Sequence, residues 1–288
     1  MGTPSTHRFS PEGEALMSSP QGTYVDVQDG FRLHCNVVGE GPPVLFLHGS
    51  GPGASGWSNF AANAEALKGA GYQSILVDSL GYGRSSQPDD IDYTLPYMSE
   101  AAAHLMQGLG HERYTIVGNS QGGAQAIRIA LEHPERVERL VLMAPGGLEA
   151  RETYMQMRGI RSMLRCVFGP EGITLDGMRR VFEKQLFDPS GLSDAIVTQR
   201  YEAAIAQPRR VFETMRVDNQ TERLGELRCP VLGLWGANDI FCPPTGVNLL
   251  VNGIDDCRVV VFSRCGHWVM VEHPDRFNRL VIDFLDNS

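Results

Sequence analysis

Tyr114-Thr115-Ile116-Val117-Gly118-Asn119-Ser120-Gln121-Gly122-Gly123-Ala124 joins a short apolar run to a helically spaced stretch, 124–132, through a turn that sets a serine between glycines. A strand that turns sharply into a helix holds its turn residue in a strained backbone conformation and pushes the side chain out into the open. Glycines at 118, 122 and 123 remove the Cβ atoms that would collide in so tight a turn. The helix N-terminus behind the serine aims N–H dipoles at the place where negative charge would develop if the hydroxyl attacked a carbonyl. An incidental serine in a glycine-rich turn is the bland alternative, and the strand before and helix after count against it. Ser120 is therefore read as a nucleophile.

Outward from this turn the same texture repeats. Residues 44–47, 74–77 and 140–143 are short, largely apolar runs, as in strands buried on both faces, and 231–235 and 258–262 give two further strands. Helix-like stretches separate them, which predicts a mostly parallel sheet with right-handed crossovers, flanked by helices. Residues 24–29 and 31–38 alternate apolar and polar around Asp29-Gly30 and predict an antiparallel hairpin. Strand-like runs vanish between about 148 and 220, where Arg, Met and Gln accumulate at helical spacing, as in 176–186 and 193–206. Strands then resume, and a last helix begins near Pro274. The reading is a tail over 1–20, a first part of an α/β core over 21–147, a helical cap over 148–220 inserted between core strands, and a second part of the core over 221–288.

Composition narrows the class. The 288 residues are 42% hydrophobic and 20% charged, with a net charge of −9, which speaks against a nucleic-acid surface. An acidic total does not exclude an anionic substrate, because one arginine in a pocket outweighs the distant average field. Cys35, Cys166, Cys229, Cys242, Cys257 and Cys265 show no paired or metal-site spacing, which predicts reduced thiols in a cytoplasmic protein without a metal. No apolar run approaches the roughly 20 residues of a membrane helix, and the N-terminus lacks the apolar core of a signal peptide. Met1-Gly2-Thr3-Pro4-Ser5-Thr6 fits the loose myristoylation pattern, a match short enough to arise by chance.

A serine hydroxyl alone is a poor nucleophile, so a base and an orienting carboxylate must follow it. The run 231–235 leads into Gly236-Ala237-Asn238-Asp239, and 258–262 into Ser263-Arg264-Cys265-Gly266-His267. Both Asp239 and His267 thus fall beyond strand ends, on the carboxyl edge of the sheet that also carries Ser120. His7, His34, His104, His111, His133 and His273 sit in the tail, the hairpin or helical stretches, and His48 precedes a glycine-rich loop that it would shape. Asp255 and Asp256 fall in a helix-to-strand turn, while Asp78 ends a strand but precedes the serine. The order Ser, Asp, His is that of the α/β-hydrolase fold, which is the expected architecture. His48-Gly49-Ser50-Gly51-Pro52-Gly53 lies where that fold places a second backbone N–H for an oxyanion, the first being that of Gln121. A phosphate loop is a weak reading of it, since no Lys-Ser/Thr follows.

The stretch from His48 to Asn59 (His-Gly-Ser-Gly-Pro-Gly-Ala-Ser-Gly-Trp-Ser-Asn), the elbow Gly118–Gly123 and Cys265-Gly266-His267-Trp268 together resemble the meta-cleavage product hydrolases. These are carbon–carbon bond hydrolases of bacterial aromatic and steroid-ring degradation. The closing stretch from Glu272 to Leu285 strengthens the resemblance, which spans about 24–286. It implies a small-molecule substrate of the 2-hydroxy-6-oxohexa-2,4-dienoate type, cleaved to a 2-hydroxypenta-2,4-dienoate and a carboxylic acid, with no cofactor and commonly with self-association into a homo-oligomer. It also implies roles: Ser120, Asp239 and His267 as the triad, Gly51 and Gln121 as oxyanion donors with Ser50 in the same loop, Asn59 and Asn119 around the dienoate end, and Trp268 bordering the substrate. Arg200 matches the arginine that pairs with the substrate carboxylate, and Arg209 or Arg210 could be mistaken for it. Gln121 stands where many relatives carry Met or Phe, which puts the shape or polarity of the acyl side in question. Met155, Met157, Met163 and Phe168 offer an apolar wall in the cap or simply its core. The competing readings are a carboxylesterase or lactonase on the same triad, and a ligand-binding relative that no longer reacts.

Overall fold

Five short runs of β-branched and apolar residues become the centre of an eight-stranded sheet in the computed structural model, which describes residues 19–287. The strands are β1 (Thr23–Asp26), β2 (Arg32–Val38), β3 (Pro43–Leu47), β4 (Gln73–Val77), β5 (Tyr114–Asn119), β6 (Val137–Met143), β7 (Val231–Gly236) and β8 (Cys257–Phe262). Their order across the sheet is β1-β2-β4-β3-β5-β6-β7-β8. From β4 to β8 every pair is parallel, and β2 alone runs against its two neighbours. This is the α/β-hydrolase architecture expected of the sequence.

The central strands are buried on both faces, and alternate residues feed two cores. Leu45, Leu47, Ile116, Leu140 and Leu142 pack on one side, against helices α2 (Leu95–Gly108) and α3 (Gln121–Glu132). Val44, Phe46, Val117, Val141, Leu232 and Leu234 pack on the other, against α1 (Gly56–Gly69) and the C-terminal helix, whose Phe277, Val281 and Phe284 face inward.

At the N-terminal edge, β1 ends at Asp26, three residues short of the expected strand. Asp29 and Gly30 both take left-handed φ values, 57° and 75°, so the chain leaves the extended conformation early and a loop over 27–31 makes the turn. The expected tail and the myristoylation pattern fall on 1–18, outside the described residues. The described chain begins anchored, with Arg84 Nη1 donating to the Pro20 carbonyl at 2.7 Å.

Between β6 and β7 the chain forms helices: α4 (Arg151–Gln156), α5 (Arg158–Phe168), α6 (Leu175–Gln185), α7 (Asp194–Ala206) and α8 (Arg210–Thr214). Met178, Val181, Phe182, Val197 and Ala204 give this insert a small core of its own, closed on the sheet side by Phe241. Gln207, just past α7, holds it to the core: its Oε1 accepts from Gly53 N at 3.1 Å and its Nε2 donates to Gly81 O at 2.9 Å.

Candidate active site

Ser120 follows β5 at φ 56° and ψ −118°, a conformation that L-residues avoid and that costs on the order of 1–3 kcal/mol. The surroundings enforce it. Ser120 N donates to Met143 O, and its carbonyl accepts from Ala124 N and Gly146 N, all between 2.9 and 3.1 Å. At Gly122 a Cβ would lie 2.1 Å from the Leu47 carbonyl oxygen, so only glycine lets α3 start this close to β3.

Asp239 and His267 come from loops after β7 and β8, two and three strands along from β5. His267 Nδ1 and Asp239 Oδ2 are 2.7 Å apart and both side chains are buried. The other carboxylate oxygen, Oδ1, accepts from the backbone N–H of Phe241 (2.7 Å) and Cys242 (3.1 Å). Asp239 is thereby fixed by three hydrogen bonds, and it fixes the ring in turn. Phe241 stacks on that ring at 5.1 Å, and His267 N donates to Gln185 O of the insert at 2.7 Å. Glu272, also buried, accepts from Gly266 N (2.6 Å) and Phe187 N (2.7 Å), tying the histidine loop to the end of α6.

The other acids and histidines lie elsewhere. Asp78 engages His34 Nδ1 at 2.9 Å and accepts from Gly56 N and Arg84 N, while Asp255 and Asp256 are exposed in the turn before β8. His48 is fully buried, and burial pushes its pKa down to about 4. Its Nε2 accepts from Ser79 N at 3.1 Å, so the neutral ring carries its proton on Nδ1 and donates it to Gly49 O at 2.8 Å. It ties the glycine loop to the loop after β4.

Ser50, Gly51, Asn59, Asn119, Ser120, Arg200, His267 and Trp268 line one cavity with Gly49, Ile160, Met163, Gln185 and Phe241. The Gln121 N–H opens α3, where a helix has no internal acceptor for it. The Gln121 side chain points away from this cavity: Nε2 reaches Met98 Sδ at 3.3 Å, and Oε1 finds no partner among the described residues. It therefore does not reshape the pocket wall. Asn59 Nδ2 donates to Ser55 O and Asn119 Nδ2 to Met143 O, which orients both amides. Met163 lines the cavity, whereas Met155 and Phe168 are exposed on the insert, Phe168 beneath Arg209.

Arg200, on α7, is the unusual member. The residue is only 4% exposed, yet no carboxylate among the described residues pairs with its guanidinium. Nη1 donates to Ser58 Oγ at 2.5 Å, and the charge rests over the Trp268 and Phe182 rings. Burial pulls its pKa down to about 10. By contrast, Arg209 and Arg210 sit on the surface with acid partners, Glu213 and Asp92. A buried cation left without a counter-ion is expensive unless an anionic ligand completes it.

Sequence reasoning passed over Gln185, Phe241 and Cys242. The last two follow Asp239 at the i+2 and i+3 spacing of an Asx turn, and that signal was available. Ligand atoms of Asp239, Cys242 and His267 lie within 4.8 Å of one another. As a metal set they are poorly prepared, since Asp239 and His267 spend those atoms on each other and burial pushes the Cys242 thiol well above its ordinary range. The Ser120 side chain pulls that thiol the other way without offsetting burial.

The family profile described as alpha/beta hydrolase fold matches residues 42–163. A 2-hydroxy-6-oxo-6-phenylhexa-2,4-dienoate hydrolase of Comamonas testosteroni is 40% identical over 270 residues, covering 90% of this chain and 93% of the relative. A 2-hydroxy-6-oxononadienedioate/2-hydroxy-6-oxononatrienedioate hydrolase of the same organism is 39% identical, covering 90% and 92%. The solved structure of a meta-cleavage product hydrolase from Pseudomonas fluorescens IP01 superposes with a TM-score of 0.81 at 31% identity, covering 92% of this chain and 97% of the other. No helix among the described residues is long and apolar enough to cross a membrane.

Proposed function

The chain belongs to the meta-cleavage product hydrolases, serine hydrolases that act on carbon–carbon bonds, and from that premise we propose that Ser120, His267 and Asp239 cleave a 2-hydroxy-6-oxohexa-2,4-dienoate whose carboxylate is held by Arg200. The observation that carries this reading is the buried, acid-free guanidinium of Arg200 in the same cavity as Ser120. A plain esterase or lactonase has no use for that charge. The dienoate carboxylate offers two acceptor oxygens to its fork of donors, with Ser58, Asn59 and Asn119 close by to hold the 2-oxygen.

The chemistry follows from what a carbon leaving group needs. A C–C bond breaks only if its electron pair has somewhere to go, so the dienol first becomes a ketone, with His267 moving the proton. Ser120 Oγ then attacks C6 as His267 takes its proton, and Asp239 steadies the imidazolium. The new oxyanion lies against the N–H groups of Gly51 and Gln121, where losing one donor raises the barrier by roughly 3–4 kcal/mol. The proton moved in the first step goes to C5, so when the C5–C6 bond breaks its electrons flow through the conjugated chain to the 2-oxygen, which takes a proton and gives the 2-hydroxypenta-2,4-dienoate. The acyl group left on Ser120 is released by water as a carboxylic acid.

The substituent on C6 is apolar in this reading. Ile160, Met163, Phe241 and Trp268 supply the walls, and Arg200 is the single cation among the cavity-lining residues, so a second carboxylate would go unpaired. The cavity volume, about 20 Å³, has room for about one water molecule, so the α5 and α6 side chains must give way on binding. The test is bleaching of yellow ring-cleavage products in a panel that pairs phenyl and alkyl C6 substituents with a carboxyethyl one. Bleaching is expected with the first two and faint with the third. Turnover of p-nitrophenyl esters with no bleaching at all would mean an esterase.

A further inference from the structure

A second concavity, of about 490 Å³, lies on the insert between α5 and α6 and is separate from the cavity that holds Ser120. Arg158, Arg161 and Arg165 line it from α5, and Arg180 and Lys184 from α6. No ion pair joins any of these five to an acid among the described residues, and Glu171 is the one carboxylate in the lining. This is a dense positive charge in a chain whose total is −9.

The arrangement follows helical geometry. Residues 158, 161, 162 and 165 share one face of α5, and that face lines the cleft, while Ile160 and Met163 on the opposite face line the Ser120 cavity. On α6, 177, 180 and 184 repeat the pattern, and the neighbouring Gln185 belongs to the other cavity. The spacings 158/161, 161/165 and 180/184 are those at which like charges repel along a helix. A surface helix normally sets acids at such positions, and here each is a cation. The cleft floor adds the first turn of α6, an 11-residue helix capped by Thr174 Oγ on Gly177 N, whose positive end also faces the opening.

Mutual repulsion and a volume within the range of small-ligand sites are resolved together by one kind of occupant. We infer that this cleft binds a small molecule carrying several clustered anionic groups, of the polyphosphate or polycarboxylate kind. Four guanidiniums present planar forks suited to bidentate grips on phosphate or carboxylate oxygens. The dienoate is a poor fit, since its single carboxylate already has a dedicated partner in Arg200.

The test is calorimetric titration of the full chain with sodium tripolyphosphate and, separately, with citrate, at matched ionic strength. A saturable, one-site isotherm is expected with at least one probe. Tripolyphosphate alone would point to a phosphate-bearing ligand, and citrate binding to a polycarboxylate. Arg161→Gln/Arg165→Gln and Arg180→Gln/Lys184→Gln should each weaken binding by about tenfold or more. Both should match or exceed the parent Tm without anion, because repulsion is relieved, and both should still bleach the dienoate. Should a double variant lose its fold, Arg165→Gln alone carries the same criterion. No saturable heat with either probe at millimolar concentration, or unchanged binding in folded variants, overturns the inference and leaves the hydrolase reading untouched.

Discussion

Two buried Asp–His pairs lie at the carboxyl edge of this sheet, and their geometry is nearly the same: 2.7 Å between Asp239 and His267, 2.9 Å between Asp78 and His34. What separates them is the second ring nitrogen. His34 Nε2 is closed off by the Gln21 carbonyl at 3.0 Å, whereas His267 belongs to the lining of the cavity that holds Ser120. One pair is a clamp joining β2 to the loop after β4, and the other borders the cavity, where the proposed reaction asks it to move a proton. A carboxylate beside an imidazole does not define a base; the base is defined by what the far nitrogen can reach.

Exchanging one atom in each carboxylate tests this difference most sharply. Asp239→Asn leaves the ring in the wrong tautomer, and kcat of the folded protein should fall by about 10⁴-fold. Asp78→Asn should instead cost about 3–5 kcal/mol of stability, read by urea unfolding, because it breaks a buried pair and its amide contacts. Its folded fraction should keep its kcat. Reversed phenotypes would mean that the roles of the two pairs have been exchanged. The Asp78 variant should also raise KM more than it changes kcat, since Asp78 Oδ1 holds Gly56 N at the start of α1, the helix that brings Ser58 and Asn59 to Arg200.

The next effect is a pH response at Arg200. Its folded pKa, about 10, lies below the ordinary arginine value, so burial destabilises the fold at every pH below about 10 and that cost fades as pH rises further. The cation is lost over the same window, so KM should climb by about tenfold per pH unit above 10 while kcat holds. Arg200→Met should abolish this rise in a thermally undiminished protein. A KM flat to pH 11 would show that the substrate carboxylate is held elsewhere.

The smallest effect concerns the thiols. Burial pushes Cys229 and Cys257 up to about 11 and Cys242 well above its ordinary range, so thiolate is scarce at pH 8. Iodoacetamide at that pH should leave turnover unchanged over hours. Rapid loss, prevented in Cys242→Ala, would show that the cleft beside Ser120 opens far more often than its packing implies.

Much of this was legible in the residues. Strand ends are marked by apolar runs that break off into short polar or glycine-bearing turns, so the sequence alone puts Ser120, Asp239 and His267 on one edge. Asp78 also ends a strand, and only chain order separated it from Asp239. The contacts across the insert were not legible. Nothing in Thr198-Gln199-Arg200 says that the guanidinium is buried without an acid, because burial there depends on Phe182 and Trp268 from distant segments. For the same reason the apolar wall was drawn too wide: Met163 faces the cavity, while Phe168, five residues and more than a helical turn along α5, faces out. The cations of α5 could be seen, but not that α6 would bring two more across from them.

Gln207 has a consequence of its own. With its amide bonded to loops after β3 and β4, and with the Arg200 carbonyl packed on Gly53 where a Cβ would sit 2.1 Å away, α7 cannot lift without breaking contacts on both sides. Among the described residues, no hydrogen bond from α5 or α6 reaches either of those two loops. The side of the pocket that carries Arg200 is therefore the rigid half, and in the proposed reaction the give needed to admit the acyl group falls to α5 and α6.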